Sequence, residues 1–136
     1  MKLFDTKIIA VSNQKGGVGK TTSAVNISAY LAVTETPTLL IDMDPQANAT
    51  SGVGIEVGSY KQSIYDVVIG KAKLSDAVQK TDLEFLDVVP SSAQLVGAEI
   101  ELVSLFSRER MLKEAWKMWK ENINISLLIV LHPWDF

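Results

Sequence analysis

Short apolar runs and one long helical pattern alternate through the first third of the chain, and that alternation predicts the fold. Ile8, Ile9, Ala10 and Val11 form a run rich in β-branched side chains that leads at once into the glycine-rich segment Asn13 to Lys20. Such a pattern predicts a buried strand entering a tight turn. From Thr21 the spacing of Ala24, Val25, Ser28, Ala29, Leu31 and Ala32 predicts a helix with a small-residue face that stops before Pro37. Thr38, Leu39, Leu40 and Ile41 then read as a second buried strand, with Asp42 and Asp44 at its carboxyl end. Strand, helix, strand is a βαβ unit, so the two strands should run parallel in a sheet covered on both faces.

Later signals are shorter. Gln46 to Lys61, punctuated by Gly52, Gly54 and Gly58, reads as a loop. Ser63 to Ile69 predicts a short helix stopped by Gly70, Leu74 to Val78 another, and Leu83 to Val89 a third strand before Pro90. Val96 to Leu105 predicts a further helix, and Ser107 stands where an N-cap would open the next. There is no internal repeat and no low-complexity linker.

Composition narrows the class. A chain of 136 residues, 47% hydrophobic and 21% charged, has the balance of one globular domain. Thirteen Lys and Arg against sixteen Asp and Glu give a net charge of -3, which leaves only a local patch for nucleic acid. The absence of cysteine excludes a disulfide framework, a Cys-held cluster and a thiol nucleophile, and the one histidine, His132, cannot build a metal site alone. Met1 to Asp5 lacks the apolar core of a signal peptide, and the apolar stretch Ile123 to Leu131 is too short to span a bilayer. The expectation is a cytoplasmic protein.

The chemistry lies in Lys15-Gly16-Gly17-Val18-Gly19-Lys20-Thr21-Thr22. Glycines let successive backbone N–H groups face one concavity, and a helix starting near Lys20 adds its positive end, so a polyphosphate meets many donors together. Lys20 would reach the β- and γ-phosphates, and the Thr21 hydroxyl would ligate Mg²⁺. The usual phosphate-loop pattern fails at its first glycine, where Gln14 stands. Asp42 and Asp44 sit where ligands of open parallel sheets bind. Carboxylates there can hold Mg²⁺ waters or orient a water for in-line attack, or one of them can simply cap a helix.

Lys15 before the double glycine resembles the deviant Walker A motif, K-G-G-x-G-K-[ST], of the MinD/ParA class of P-loop ATPases. The string Leu39-Leu40-Ile41-Asp42-Met43-Asp44-Pro45-Gln46-Ala47-Asn48-Ala49-Thr50-Ser51-Gly52 is similar to that of the ParA/Soj partition ATPases. Val88-Val89-Pro90-Ser91, Leu95-Val96-Gly97-Ala98-Glu99-Ile100-Glu101-Leu102 and Ser107-Arg108-Glu109 extend the likeness over residues 7 to 115. The resemblance implies an α/β fold: the N-terminal part of a P-loop NTPase-like parallel sheet with flanking helices. It implies ATP and Mg²⁺ as cofactors, with Gly16, Gly17, Val18, Gly19, Lys20, Thr21 and Thr22 on the nucleotide. Thr21, Asp42 and Asp44 would serve the metal, Asp44 would position the lytic water, and Lys15 would cross to a partner's phosphates. By the same resemblance, ATP drives a sandwich homodimer that coats DNA without sequence preference. A ParB-like centromere-binding partner then triggers hydrolysis, and plasmids or chromosomes are segregated, on the nucleoid and not at a membrane. The Asp-Pro-Gln after the second strand sets the chain apart from MinD proteins.

The likeness stops after Ala115, which divides the chain into a family-like part, 1–115, and an aberrant tail, 116–136. Trp116, Trp119 and Trp134 all fall in the tail, and the family's next strand, close to Y-D-Y-I-I-I-D-C-P-P-S-L-G with its Walker B aspartate, is absent. Codons permitted for these residues, with one nucleotide restored at the Ala115/Trp116 junction, translate as ALENVERKYKYISIDCPPSLGF. The tail therefore reads as the product of a single-base deletion or a sequencing error. Ser126 to Leu131 could still pair as a buried strand, but it brings no carboxylate. Trp116 and Trp119 are expected to cover apolar surface, and His132 to be a solvated terminal residue. Two functions stay open: a ParA-like ATP-binding protein or ATPase, and a non-catalytic fragment with weak or no nucleotide binding.

Overall fold

The computed structural model describes residues 7–12, 19–97, 113, 114, 117 and 127–132. Its strands are β1 (Lys7–Ser12), β2 (Thr38–Asp42), β3 (Gln79–Lys80), β4 (Leu86–Val89) and β5 (Leu127–His132). The helices are α1 (Lys20–Val33), α2 (Asn48–Gly52), α3 (Ile64–Val68) and α4 (Leu74–Ala77). The strands form one sheet in the order β1-β5-β2-β4-β3, parallel except for the short β3. β1 and β2 are thus parallel, as the βαβ pattern predicts, but β5 lies between them. It pairs Ile129 with Ile9 on one side and with Leu40 on the other.

β2 is buried along its whole length, and its alternation separates two cores. Leu39 and Ile41 join Ile64, Val67, Val68, Leu74 and Val89. Leu40 joins Ala24, Ala32, Ala49, Leu86 and Val88. Each fully buried leucine contributes about 1.5–3 kcal/mol, so β2 anchors both faces. α1 supplies small side chains to the second core: Ala24, Ser28 and Ala32 recur every fourth residue and are buried. Small residues let the helix lie close to the sheet, and the Ser28 hydroxyl is satisfied within the helix by donating to the Ala24 carbonyl at 2.7 Å.

Three expectations are corrected. β1 is at the edge of the described strands, and Ile8 and Ile9 are 57% and 40% exposed, so it is not the buried strand that its run of apolar residues predicts. The third strand begins at Leu86 because Phe85, at φ 69°, leaves the extended region. The segment 46–61 is not all loop, since it contains α2. The helix at 63–69 is found as α3, opened by a capping box in which the Ser63 side chain accepts from the Tyr65 amide and Asp66 accepts from the Ser63 amide. Most of the helix expected over 96–105, the helix expected from Ser107, Trp116, Trp119 and the phosphate-loop residues Lys15, Gly16, Gly17 and Val18 lie outside the described residues. Among the described residues no helix is long and apolar enough to cross a membrane.

Candidate nucleotide site

Because β1, β5, β2 and β4 are parallel, their last residues, Ser12, His132, Asp42 and Val89, share one edge of the sheet. That edge is where open α/β sheets bind ligands. His132 ends β5, which lies between β1 and β2, and pairs in register with Ser12.

α1 starts at this edge. Its N-cap, Gly19, has φ 85°, a left-handed conformation that glycine adopts without steric cost, and a Cβ placed there would meet nothing within 4 Å. The helix start has no side-chain cap and no acidic residue in its first turn. Its leading amides and dipole therefore offer positive potential. Lys20 and Thr21 are half-buried there, and Thr22 is exposed.

The two aspartates have different surroundings. Asp42 is fully buried. Its Oδ1 accepts the Asp44 amide at 3.0 Å, and its Oδ2 accepts the Thr50 amide at 2.9 Å and the Thr50 hydroxyl at 2.7 Å. Burial pushes the Asp42 carboxyl above the usual aspartate range, against the opposing pull of the Thr50 and Asp44 donors. Thr50 is the third residue of α2, so Asp42 caps that helix from the end of β2. Asp44 is half-buried, and its Oδ1 accepts the Gln46 amide at 3.0 Å. Its carbonyl accepts the Ala47 amide at 2.9 Å and the Ser91 hydroxyl at 2.5 Å. Ala47 holds the left-handed region at φ 55°, which is strained for a residue with a Cβ.

Thr50, Tyr60 and Ser91 were not predicted as site residues. Ser91 donates its amide to the Thr50 hydroxyl at 3.1 Å, and its carbonyl accepts the Tyr60 hydroxyl. The available sequence signal was position: Ser91 follows Pro90 just beyond β4, on the edge shared with Asp42. A cavity of about 330 Å³ opens beside Tyr60, lined by Val57, Lys61, Asp66 and Gln94 among others, and it includes none of the predicted site residues. Among the described residues no three His, Asp or Glu side chains converge on a metal position.

A helix that opens at a left-handed glycine after the first strand, at the carboxyl edge of a parallel sheet, fits the architecture of a P-loop domain. Residues 6–130 match the AAA domain family. The chain belongs to that family, and within it to the ParA/Soj-type partition ATPases. It is 50% identical over 122 residues to the sporulation initiation inhibitor protein Soj of Bacillus subtilis, covering 90% of this chain and 48% of Soj. It is 48% identical over 109 residues to the chromosome partitioning protein ParA of Myxococcus xanthus, covering 80% of this chain and 38% of ParA. Among solved structures, cobyrinic acid a,c-diamide synthase from Mycobacterium smegmatis, with bound ADP and magnesium, superposes with a TM-score of 0.83 at 34% identity, over 93% of this chain and 50% of the synthase. The chain therefore spans about half the length, or less, of the proteins it matches.

Proposed function

We propose that the chain binds ATP with Mg²⁺ at the turn between β1 and α1, as the nucleotide-binding part of an ATPase of plasmid or chromosome partitioning. The observation that carries this reading is the α1 start: a left-handed Gly19 leads into a helix whose first turn holds Lys20 and Thr21 and no acidic residue. The solved synthase with ADP and magnesium supports the same ligand class. Gly16, Gly17, Val18 and Gly19 supply backbone donors, and Lys20, Thr21 and Thr22 complete the cradle. Mg²⁺ binds with few protein ligands, keeping waters and phosphate oxygens, so Thr21 and Asp44 suffice beside the nucleotide. A carboxylate has about four acceptor positions. With three taken by Thr50 and Asp44 donors, Asp42 would serve the metal as a supporting group beside Thr21 and Asp44. Asp44 orients the attacking water, and Lys15 reaches the phosphates of a second copy in an ATP-dependent homodimer. Partition then involves a ParB-like partner and DNA in the cytoplasm.

The test is Mg-ATP binding and turnover by the purified chain, with Lys20→Ala as control. Binding that weakens at least about tenfold in the variant, a loss of about 1.4 kcal/mol, supports the reading. A soluble, folded chain that binds nothing would instead be the non-catalytic fragment. β5 favours keeping that second reading, because Leu127 to His132 carries no aspartate or glutamate where the resemblance places the Walker B carboxylate. We also read 116–136 as the product of a single-base deletion or a sequencing error. The nucleotides at codons 115 to 117 decide that point, and a following sequence without a continuing homologous frame overturns it.

A further inference from the structure

We propose that Ser91 is a positioning residue for Asp44, clamping the loop after β2 to the end of β4 so that the Asp44 backbone has a single orientation. The functional half of this proposal rests on Asp44 being the water-orienting group.

Ser91 is fully buried, and its three polar groups go to three different parts of the chain. Its hydroxyl donates to the Asp44 carbonyl, its amide donates to the Thr50 hydroxyl, and its carbonyl accepts from Tyr60, partners 47, 41 and 31 positions away. The Thr50 hydroxyl in turn donates a hydrogen bond to Asp42, which also accepts the Asp44 amide. The peptide groups on both sides of the Asp44 Cα are therefore held, one by Asp42 and the other by Ser91 with the Ala47 amide. Pro45 follows and fixes its own φ, so the Asp44 side chain is left with little freedom beyond its χ angles. Ala47, in its strained conformation, stays there only if its surroundings over-determine it. Ser91 is the member of that set that comes from beyond another strand, two residues past the end of β4. Misplacing a reacting or orienting group by about 1 Å can cost about a hundredfold in rate, so a clamp of this kind acts on turnover without touching nucleotide.

Ser91→Ala and Tyr60→Phe in the full chain separate this role from general packing. Three quantities are measured: backbone hydrogen exchange across 43–50, affinity for a non-hydrolysable Mg-ATP analogue, and kcat. Ser91→Ala is expected to speed exchange across 43–50 about tenfold, leave α3 unchanged, hold analogue affinity within about twofold and lower kcat by about ten- to a hundredfold. Tyr60→Phe, which leaves the Ser91 hydroxyl in place, is expected to exchange over 43–50 within about twofold of wild type. The proposal is overturned if Ser91→Ala exchanges like wild type, if Tyr60→Phe loosens 43–50 as much as Ser91→Ala, or if the kcat loss tracks a loss of analogue affinity. A wild-type chain that binds no analogue removes the proposed function, and one that binds without turnover removes only its hydrolytic part; in both cases the clamp is decided by exchange across 43–50.

Discussion

The Thr50 amide and hydroxyl both donate hydrogen bonds to a single oxygen of Asp42, at 2.9 and 2.7 Å. The hydroxyl that donates to Asp42 also accepts from Ser91, so the last carboxylate of β2 is tied to α2 and, through it, to the end of β4. Three donors do not offset the cost of desolvation. The Asp42 carboxyl titrates above its ordinary range, with burial the largest cause and the nearby Asp44 charge adding to it.

A pH signature follows. With its folded pKa raised, Asp42 keeps a proton in the native state at pH values where the unfolded chain, near pKa 3.9, has released it. Its contribution to stability is complete below that unfolded value and is lost as pH rises through the folded pKa. Denaturant unfolding of wild type and Asp42→Asn between about pH 4 and pH 7 should give the largest wild-type advantage at the acid end, shrinking toward neutrality. A difference that is flat or grows with pH contradicts the buried, desolvated state.

What the sequence disclosed and what it withheld divide along the range of the forces involved. The α1 face was legible because Ala24, Ser28 and Ala32 repeat at the helix period, and β2 because four apolar or β-branched residues stand together. The position of β1 was legible and its burial was not, since burial depends on neighbours that lie elsewhere in the chain. β5 shows this most clearly. The apolar run ending in Leu131 reads as a strand, yet nothing local says that the last described strand inserts between β1 and β2. In the site, Asp42 and Asp44 were found from their place after a buried strand. Thr50 and Ser91 were not, because α2 is capped by Asp42 and not by a residue at its own start, and Ser91 meets Asp44 across 47 positions. Of the two aspartates, Asp42 is the one that caps a helix.

The contact of α1 with α2 makes a second prediction. A Cβ on Gly52 would lie 3.1 Å from Val25 Cγ2, closer than ordinary van der Waals contact. Replacing glycine by alanine in a helix gains about 1 kcal/mol. Here crowding against Val25 should cancel most of that gain, and Val25→Ala should release it. In a double-mutant cycle followed by urea unfolding, Gly52→Ala is expected to stabilise the Val25→Ala background by about 0.5–1 kcal/mol more than it stabilises wild type. Additive behaviour would contradict the close approach of α2 to Val25 of α1.

The exposed edge gives the last prediction. Ile8 and Ile9 are neighbours on β1, so their side chains point to opposite faces of the sheet, and exposures of 57% and 40% leave both faces open at that strand. An apolar edge strand with unpaired backbone groups recruits other chains, and a lysine on it is a common protection. Ile8→Lys should therefore reduce self-association, read by light scattering across a concentration series. It should change stability by no more than about 0.5 kcal/mol, as an exposed substitution does. Leu40→Ala is the contrast. That side chain is fully buried in the second core, and its loss should cost about 2–5 kcal/mol. The two variants weigh burial directly against edge exposure. If Ile8→Lys destabilised the chain as much as Leu40→Ala, or if wild type stayed monomeric where the edge should associate, then β1 is a covered strand and not an exposed edge.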